Sequence, residues 1–187
     1  IRAAGADGVS FHPEATVRGP GAPAGLPGSE PGPVALAPGR VLAFDLGIVL
    51  DGYCSDFGRT VFCGGPNDEY AAIYKLVRQA HEAAVEALQP GAAAGDVDEL
   101  ARSIIAGGGF GDAFIHRLGH GIGMDVHEKP FLMKGDDTPL QEGMCFAVEP
   151  SVFLLDRGWF RVEDVVVVGE GGGECLTRAS RDLDVLE

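Results

Sequence analysis

Two apolar-rich runs, residues 43–50 and 53–63, flank the dipeptide Asp51-Gly52, and this arrangement restricts the fold more than any other feature of the chain. A two-residue Asp-Gly loop between such runs signals a β-hairpin, because both positions tolerate positive φ. If Leu50 pairs with Tyr53, Gly47 lies opposite Asp56. Asp45, two residues before Gly47, then shares a face with Asp56. Diagonal neighbours on one face sit roughly 7–8 Å apart, within reach of a shared cation for two carboxylates. Two ordinary acids on a solvent-facing strand would give the same pattern, so the pair needs independent support.

That support comes from a second acid-bearing hairpin. Residues 144–149 read as a strand interrupted by Pro150, Asp156-Arg157-Gly158 reads as a turn, and residues 159–168 form another strand ending in four valines. With the loop centred on Asp156, Glu149 falls opposite Glu163. Glu149 follows Cys-Phe-Ala-Val, a setting too apolar for an unpaired carboxylate.

Between the hairpins lies His-Arg-Leu-Gly-His-Gly-Ile-Gly-Met-Asp-Val-His-Glu-Lys-Pro, residues 116–130. Its alternating glycines, Gly119, Gly121 and Gly123, argue against helix and for close backbone approach. His116, His120 and His127 supply a ligand and proton-transfer groups in one short segment. Isolated histidines such as His12 and His81 are expected to be ordinary surface or core residues. Four carboxylates and an imidazole (Asp45, Asp56, His120, Glu149 and Glu163) form a donor set for a pair of divalent ions. Two such ions a few ångströms apart are the equipment of a hydrolase.

The stretches D-L-G-I-V-L-D-G-Y-C-S-D-F-G-R-T, H-R-L-G-H-G-I-G-M-D-V-H-E-K-P, F-A-V-E-P and F-R-V-E-D resemble those of the pita-bread metallopeptidases. That family includes methionine aminopeptidases, Xaa-Pro aminopeptidases and prolidases. The resemblance runs from about Ser10 to the end of the chain. It implies an α+β pita-bread (creatinase/aminopeptidase-like) fold, with a curved antiparallel sheet holding the metals and helices on its outer face. It also implies that Asp45, Asp56, His120, Glu149 and Glu163 are the metal ligands, with Asp56 and Glu163 bridging. His116, His127 and Arg161 match positions lining the substrate site.

The R-V-E-D stretch around Glu163 resembles the proline-specific branch, which implies hydrolysis of an Xaa-Pro bond. Glu149 would carry a proton to the leaving nitrogen and His127 would stabilise the oxyanion. Arg161 is expected to pair with a substrate carboxylate, in preference to organising the carboxylates around it. The donor set suits two Mn2+ ions, with Co2+, Fe2+ or Zn2+ as alternatives. The runner-up readings are a methionine aminopeptidase and a non-catalytic pita-bread module that binds peptides. Two positions depart from the family pattern: Gly28 stands where a histidine usually follows proline, and Gly58 replaces a threonine in S-D-x-T-R-T.

Composition fits one domain over residues 1–187. A chain of this size buries roughly 70% of its unfolded surface, and no apolar stretch is long enough to span a membrane. A net charge of −14 disfavours a nucleic-acid partner. Four cysteines without metal-ligand spacing suit a reducing cytoplasm. The expected partner is a proline-containing peptide, and the expected assembly a homodimer. The start at Ile1 suggests that an N-terminal domain of the parent protein is missing from this chain.

Elsewhere, residues 18–40 hold six prolines and six glycines and are expected to form an irregular loop over the site mouth. Asp68 to Leu88 reads as a helix whose core stripe is Tyr70, Ile73, Val77, Ala80, Ala84 and Leu88. Asp96 and Glu99 suggest a capping box for a second helix ending at Ala106. Cys54 and Cys63 are placed on one strand, and Gly169 to Gly173 as a hairpin turn.

Overall fold

The first hairpin forms in the expected register. Strands β3 (Val41–Leu46) and β4 (Ile48–Leu50) run antiparallel to β5 (Tyr53–Cys54) and β6 (Phe57–Cys63), and Leu50 pairs with Tyr53. The computed structural model describes residues 5–22 and 34–187. The second arm is not one continuous strand, so Cys54 and Cys63 lie on different strands. Ser55 and Asp56 separate those strands because Ser55 ties the backbone locally, accepting from Ile48 N–H through its hydroxyl at 3.1 Å. Gly47 permits the kink: a Cβ there would lie 2.0 Å from the Ser55 carbonyl oxygen.

The second hairpin pairs β10 (Ser151–Leu154) and β9 (Cys145–Val148) with β11 (Gly158–Gly169). Ser151 lies opposite Arg161 and Val148 opposite Asp164, so the register continues across Pro150 without a bulge. Glu149 therefore stands opposite Glu163. A glycine turn after β11 leads into β12 (Gly172–Cys175), as expected.

These hairpins join in an antiparallel sheet with β2 (Glu14–Arg18), β7 (Gly119–Gly121) and β8 (Glu128–Leu132). Among the described residues the order is β2-β3-β6-β11-β9-β7-β8. One pairing departs from the antiparallel pattern: β13 (Asp184–Leu186) lies parallel to β6. A small second sheet forms from β1 (Gly8–Val9), β4 and β5.

Helix α1 spans Asp68–Ala87, capped by the Asn67 side chain on Tyr70 N–H, and packs on β11 and β12. Its predicted stripe is buried throughout, against Phe62, Phe160, Val162 and Val166 of the sheet. Helix α2 (Ala94–Gly107) begins two residues before the expected capping box. The box does not form. Instead the first amides, Ala94 and Gly95, donate to the carbonyls of Thr138 and Asp136 at 3.0 and 2.8 Å. Tertiary contacts satisfy the helix end, so a local side-chain cap is unnecessary. The α+β expectation, an antiparallel sheet with helices against it, holds.

Candidate metal centre and substrate cavity

The sheet register builds a row of acids. Glu14 on β2 pairs with Asp45 on β3, Asp45 with Gly58 on β6, and Gly58 with Glu163 on β11. Glu149 completes the row beyond Glu163. Asp56 enters from the break before β6. Ligand oxygens of Asp45, Asp56 and Glu163 lie within 4.8 Å of one another. His120, buried on β7, brings Nε2 to 3.5 Å from Asp56 and 3.7 Å from Glu149.

This cluster suits a divalent cation. His120 Nδ1 lies 3.0 Å from the Gly121 carbonyl oxygen, which can only accept. In the neutral ring the proton is therefore on Nδ1, and the Nε2 lone pair faces two carboxylates. Buried oxygens Asp45 Oδ1 and Asp56 Oδ1 have no hydrogen-bond partner among the described residues. Burial and neighbouring Asp56 and Glu149 push the Asp45 carboxyl up to about 7, even though Arg161 opposes the shift. Burial and the surrounding carboxylates likewise push Glu163 well above the usual carboxylate range. Lone pairs converge here with too little positive charge to balance them, and oxygen-rich donors with one imidazole nitrogen are hard-to-borderline ligands.

Arg161 supplies the counter-charge inside the cluster. Its guanidinium binds Asp45, reaches Glu163 at 3.1 Å and Glu149 at 2.9 Å, and lies 4.2 Å over the Trp159 ring. Burial disfavours its charge, but Glu163, Glu149 and Asp45 outweigh that effect and raise its pKa. The sequence favours a substrate carboxylate as its partner, whereas in this structure its guanidinium is engaged by three carboxylates of the cluster.

The His116–His127 segment is held by residues that gave no local sequence signal of a site. Asp98, fully buried on α2, accepts from Leu118 N–H at 2.9 Å and pairs with Arg102 at 2.8 Å. Arg102 donates in turn to the Phe114 and His116 carbonyls, both at 2.9 Å. The i,i+4 spacing of Asp98 and Arg102 is visible in sequence, but nothing there shows that it anchors a distant loop. The predicted close approaches are real: a Cβ at Gly119 would lie 2.0 Å from the Ala147 carbonyl oxygen, and one at Gly121 2.8 Å from that of Glu128.

His116 is held from both sides. Nδ1 lies 2.7 Å from the Arg117 carbonyl oxygen and Nε2 2.6 Å from the Ser151 hydroxyl. The carbonyl requires a proton on Nδ1, so the ring accepts from Ser151 through Nε2. Burial pushes its pKa down, which favours this neutral form. His127 stacks edge-on against His120 with centroids 4.3 Å apart, and burial followed by the His120 charge lowers its pKa as well.

All eight predicted site residues border one cavity of about 900 Å3. Sequence reasoning missed several of its other walls, including Glu14, Trp159 and His12, which was expected to be an ordinary histidine. His81 does behave as a core residue, with Nε2 3.2 Å from buried Asp164 on the side of β11 opposite Glu163. Gly28 and the rest of residues 23–33 of the predicted mouth loop lie outside the described residues.

Comparison with known proteins adds a consistent picture. Residues 1–170 match the model for metallopeptidase family M24. The chain is 44% identical over 186 residues to the putative dipeptidase YkvY of Bacillus subtilis strain 168, covering 100% of this chain and 50% of that protein. It is 44% identical over 151 residues to an Xaa-Pro dipeptidase of Lactobacillus helveticus, covering 81% of this chain and 41% of the relative. The fold superposes on a dipeptidase from Pyrococcus horikoshii OT3 with a TM-score of 0.92 at 39% identity, covering 100% of this chain and 51% of the other. The chain thus spans about half the length of the relatives it matches.

Proposed function

The chain belongs to metallopeptidase family M24, and on that premise we propose that it is the catalytic domain of a longer peptidase that hydrolyses Xaa-Pro bonds. The observation that carries this reading is the convergence of Asp45, Asp56 and Glu163, with His120 beside them, in a cavity large enough for a short peptide. Its similarity to an Xaa-Pro dipeptidase directs the substrate choice toward proline.

Asp45, Asp56, His120, Glu149 and Glu163 would hold two divalent ions, of which Mn2+ suits the oxygen-rich set best. When bound, the ions would activate water and polarise the scissile carbonyl. Glu149 would carry the proton, because its carboxylate borders the cavity beside the candidate centre, 3.7 Å from His120 Nε2. His127 stands at the cavity rim, edge-on to His120, where it would meet the substrate carbonyl. His116, with both ring nitrogens engaged by Arg117 and Ser151, would shape the substrate wall without titrating. Arg161 keeps the ligand carboxylates apart and aligned. We place the protein in the cytoplasm as a homodimer. The four free cysteines suit the first assignment, and light scattering of the full-length protein tests the second.

The test is a panel of Xaa-Pro dipeptides, longer Xaa-Pro peptides and Met-Ala peptides, assayed on metal-loaded full-length protein. Cleavage confined to bonds preceding proline, and abolished by chelation, is the expected result. Preferential cleavage after methionine would overturn the proline assignment.

A further inference from the structure

One acid in the row is left over once a metal centre is accounted for. Glu14 stands directly opposite Asp45 at the β2 edge of the sheet and borders the same cavity. It does not belong to the cluster of Asp45, Asp56 and Glu163. Among the described residues its carboxylate makes no hydrogen bond or ion pair, whereas Arg161 engages Asp45, Glu149 and Glu163. Directly opposed residues have Cβ atoms about 4.5–5.5 Å apart, so the Glu14 carboxylate stands one side chain away from the reaction centre.

That separation suits a side chain of the substrate, not its reacting atoms. Charge points the same way. Arg161 and the divalent ions would face Asp45, Asp56, Glu149 and Glu163, leaving the half-buried Glu14 carboxylate on the cavity wall with no cationic contact of its own among the described residues. A lysine or arginine stem can lie along apolar wall such as Phe11 while its cationic head meets the acid. We propose that Glu14 selects a cationic residue immediately before the scissile bond. This inference rests on the Xaa-Pro reading and names its preferred substrate class.

The experiment pairs Lys-Pro with norleucine-Pro, which matches the stem but lacks the charge. In metal-loaded full-length protein, kcat/KM should favour Lys-Pro by about 2–5-fold, as expected for a partly exposed ion pair. Glu14→Gln should bring that ratio close to one, and Glu14→Lys should invert it. Calorimetric binding of lysinol and norleucinol, which lack a carbonyl to cleave, gives a readout independent of turnover and should show the same order. Equal treatment of the two ligands by the wild type, or an unchanged ratio in Glu14→Gln, would overturn the assignment. If lysinol is favoured but neither peptide is cleaved, the charge selectivity stands and the peptidase reading fails.

Discussion

Replacing Gly58 with alanine should damage the candidate centre more than its small size suggests. Gly58 sits between Asp45 and Glu163 in the acid row, and its missing side chain is where Glu163 and Arg161 lie. A Cβ there would approach Glu163 Oε2 to 2.3 Å and Arg161 Cδ to 2.9 Å, with the Phe44 carbonyl oxygen at 3.2 Å. Glu163 is 1% exposed and Arg161 5%, so neither can swing into solvent to make room. Overpacking of this kind costs about 1–3 kcal/mol. Displacing Glu163 also weakens its 3.1 Å contact with Arg161 inside a buried ion cluster. A combined cost of about 2–4 kcal/mol is therefore expected, which corresponds to a Tm fall of roughly 4–16 °C for a domain of this size. Differential scanning calorimetry of metal-free protein, beside titration of Mn2+ by calorimetry, measures both effects. Gly107→Ala is the control, because nothing lies within 4 Å of a Cβ there. If Gly58→Ala matched the wild type in Tm and in metal affinity, the packing argument around Glu163 would be wrong.

Other perturbations separate the roles assigned above. Glu163→Ala should release metal from the centre, and unchanged metal content on elemental analysis would remove it from the ligand set. His127→Ala should cut turnover about 10²–10³-fold while leaving metal content intact; parallel loss of metal would make it a ligand. Arg161→Lys cannot reproduce a forked contact to three carboxylates. It should lower metal affinity and harm dipeptides and longer peptides alike, and a selective loss on dipeptides would point to substrate contact instead. On the far face of β11, burial tends to raise Asp164, but His81 and Arg59 outweigh it and hold its pKa at about 2. A depressed carboxyl stabilises the fold above its unfolded pKa of about 3.9, and that contribution fades as pH falls toward 2. The stability gap between wild type and Asp164→Asn should therefore be wide at pH 7 and shrink below pH 4 in denaturant titrations; a constant gap would contradict the assignment.

The two hairpins were readable because register is a counting problem once the turn is located. Asp51-Gly52 and Asp156-Arg157-Gly158 fix their turn centres, and period-two geometry then carries Asp45, Asp56, Glu149 and Glu163 to the same side. The helix stripe of α1 was readable for the corresponding reason at period 3.6. What failed was settled by hydrogen bonds that residue patterning does not show. The start of α2 is capped by carbonyls of Asp136 and Thr138, so the local Asp96/Glu99 pattern misled. Ser55 breaks the second arm of the first hairpin through its own hydroxyl, a competition between side chain and ladder that alternation of apolar residues does not reveal.

The cavity walls were the least legible part of the site, and Glu14 shows why. Nothing near it in sequence marks it, since it precedes Ala15 and Thr16 in a short edge strand. It gains significance only when β2 docks on β3 and sets it opposite Asp45. Metal ligands announce themselves because the chemistry restricts residue type at several positions at once, whereas a specificity residue needs only a carboxylate at the right edge. Arg161 lies between these cases. Its spacing from Glu163 placed it on the correct face, but only the assembled cluster shows its guanidinium committed to Asp45, Glu149 and Glu163. A residue two positions from a candidate ligand is thus located by local geometry, while its task is decided by which charges the other strands bring within reach.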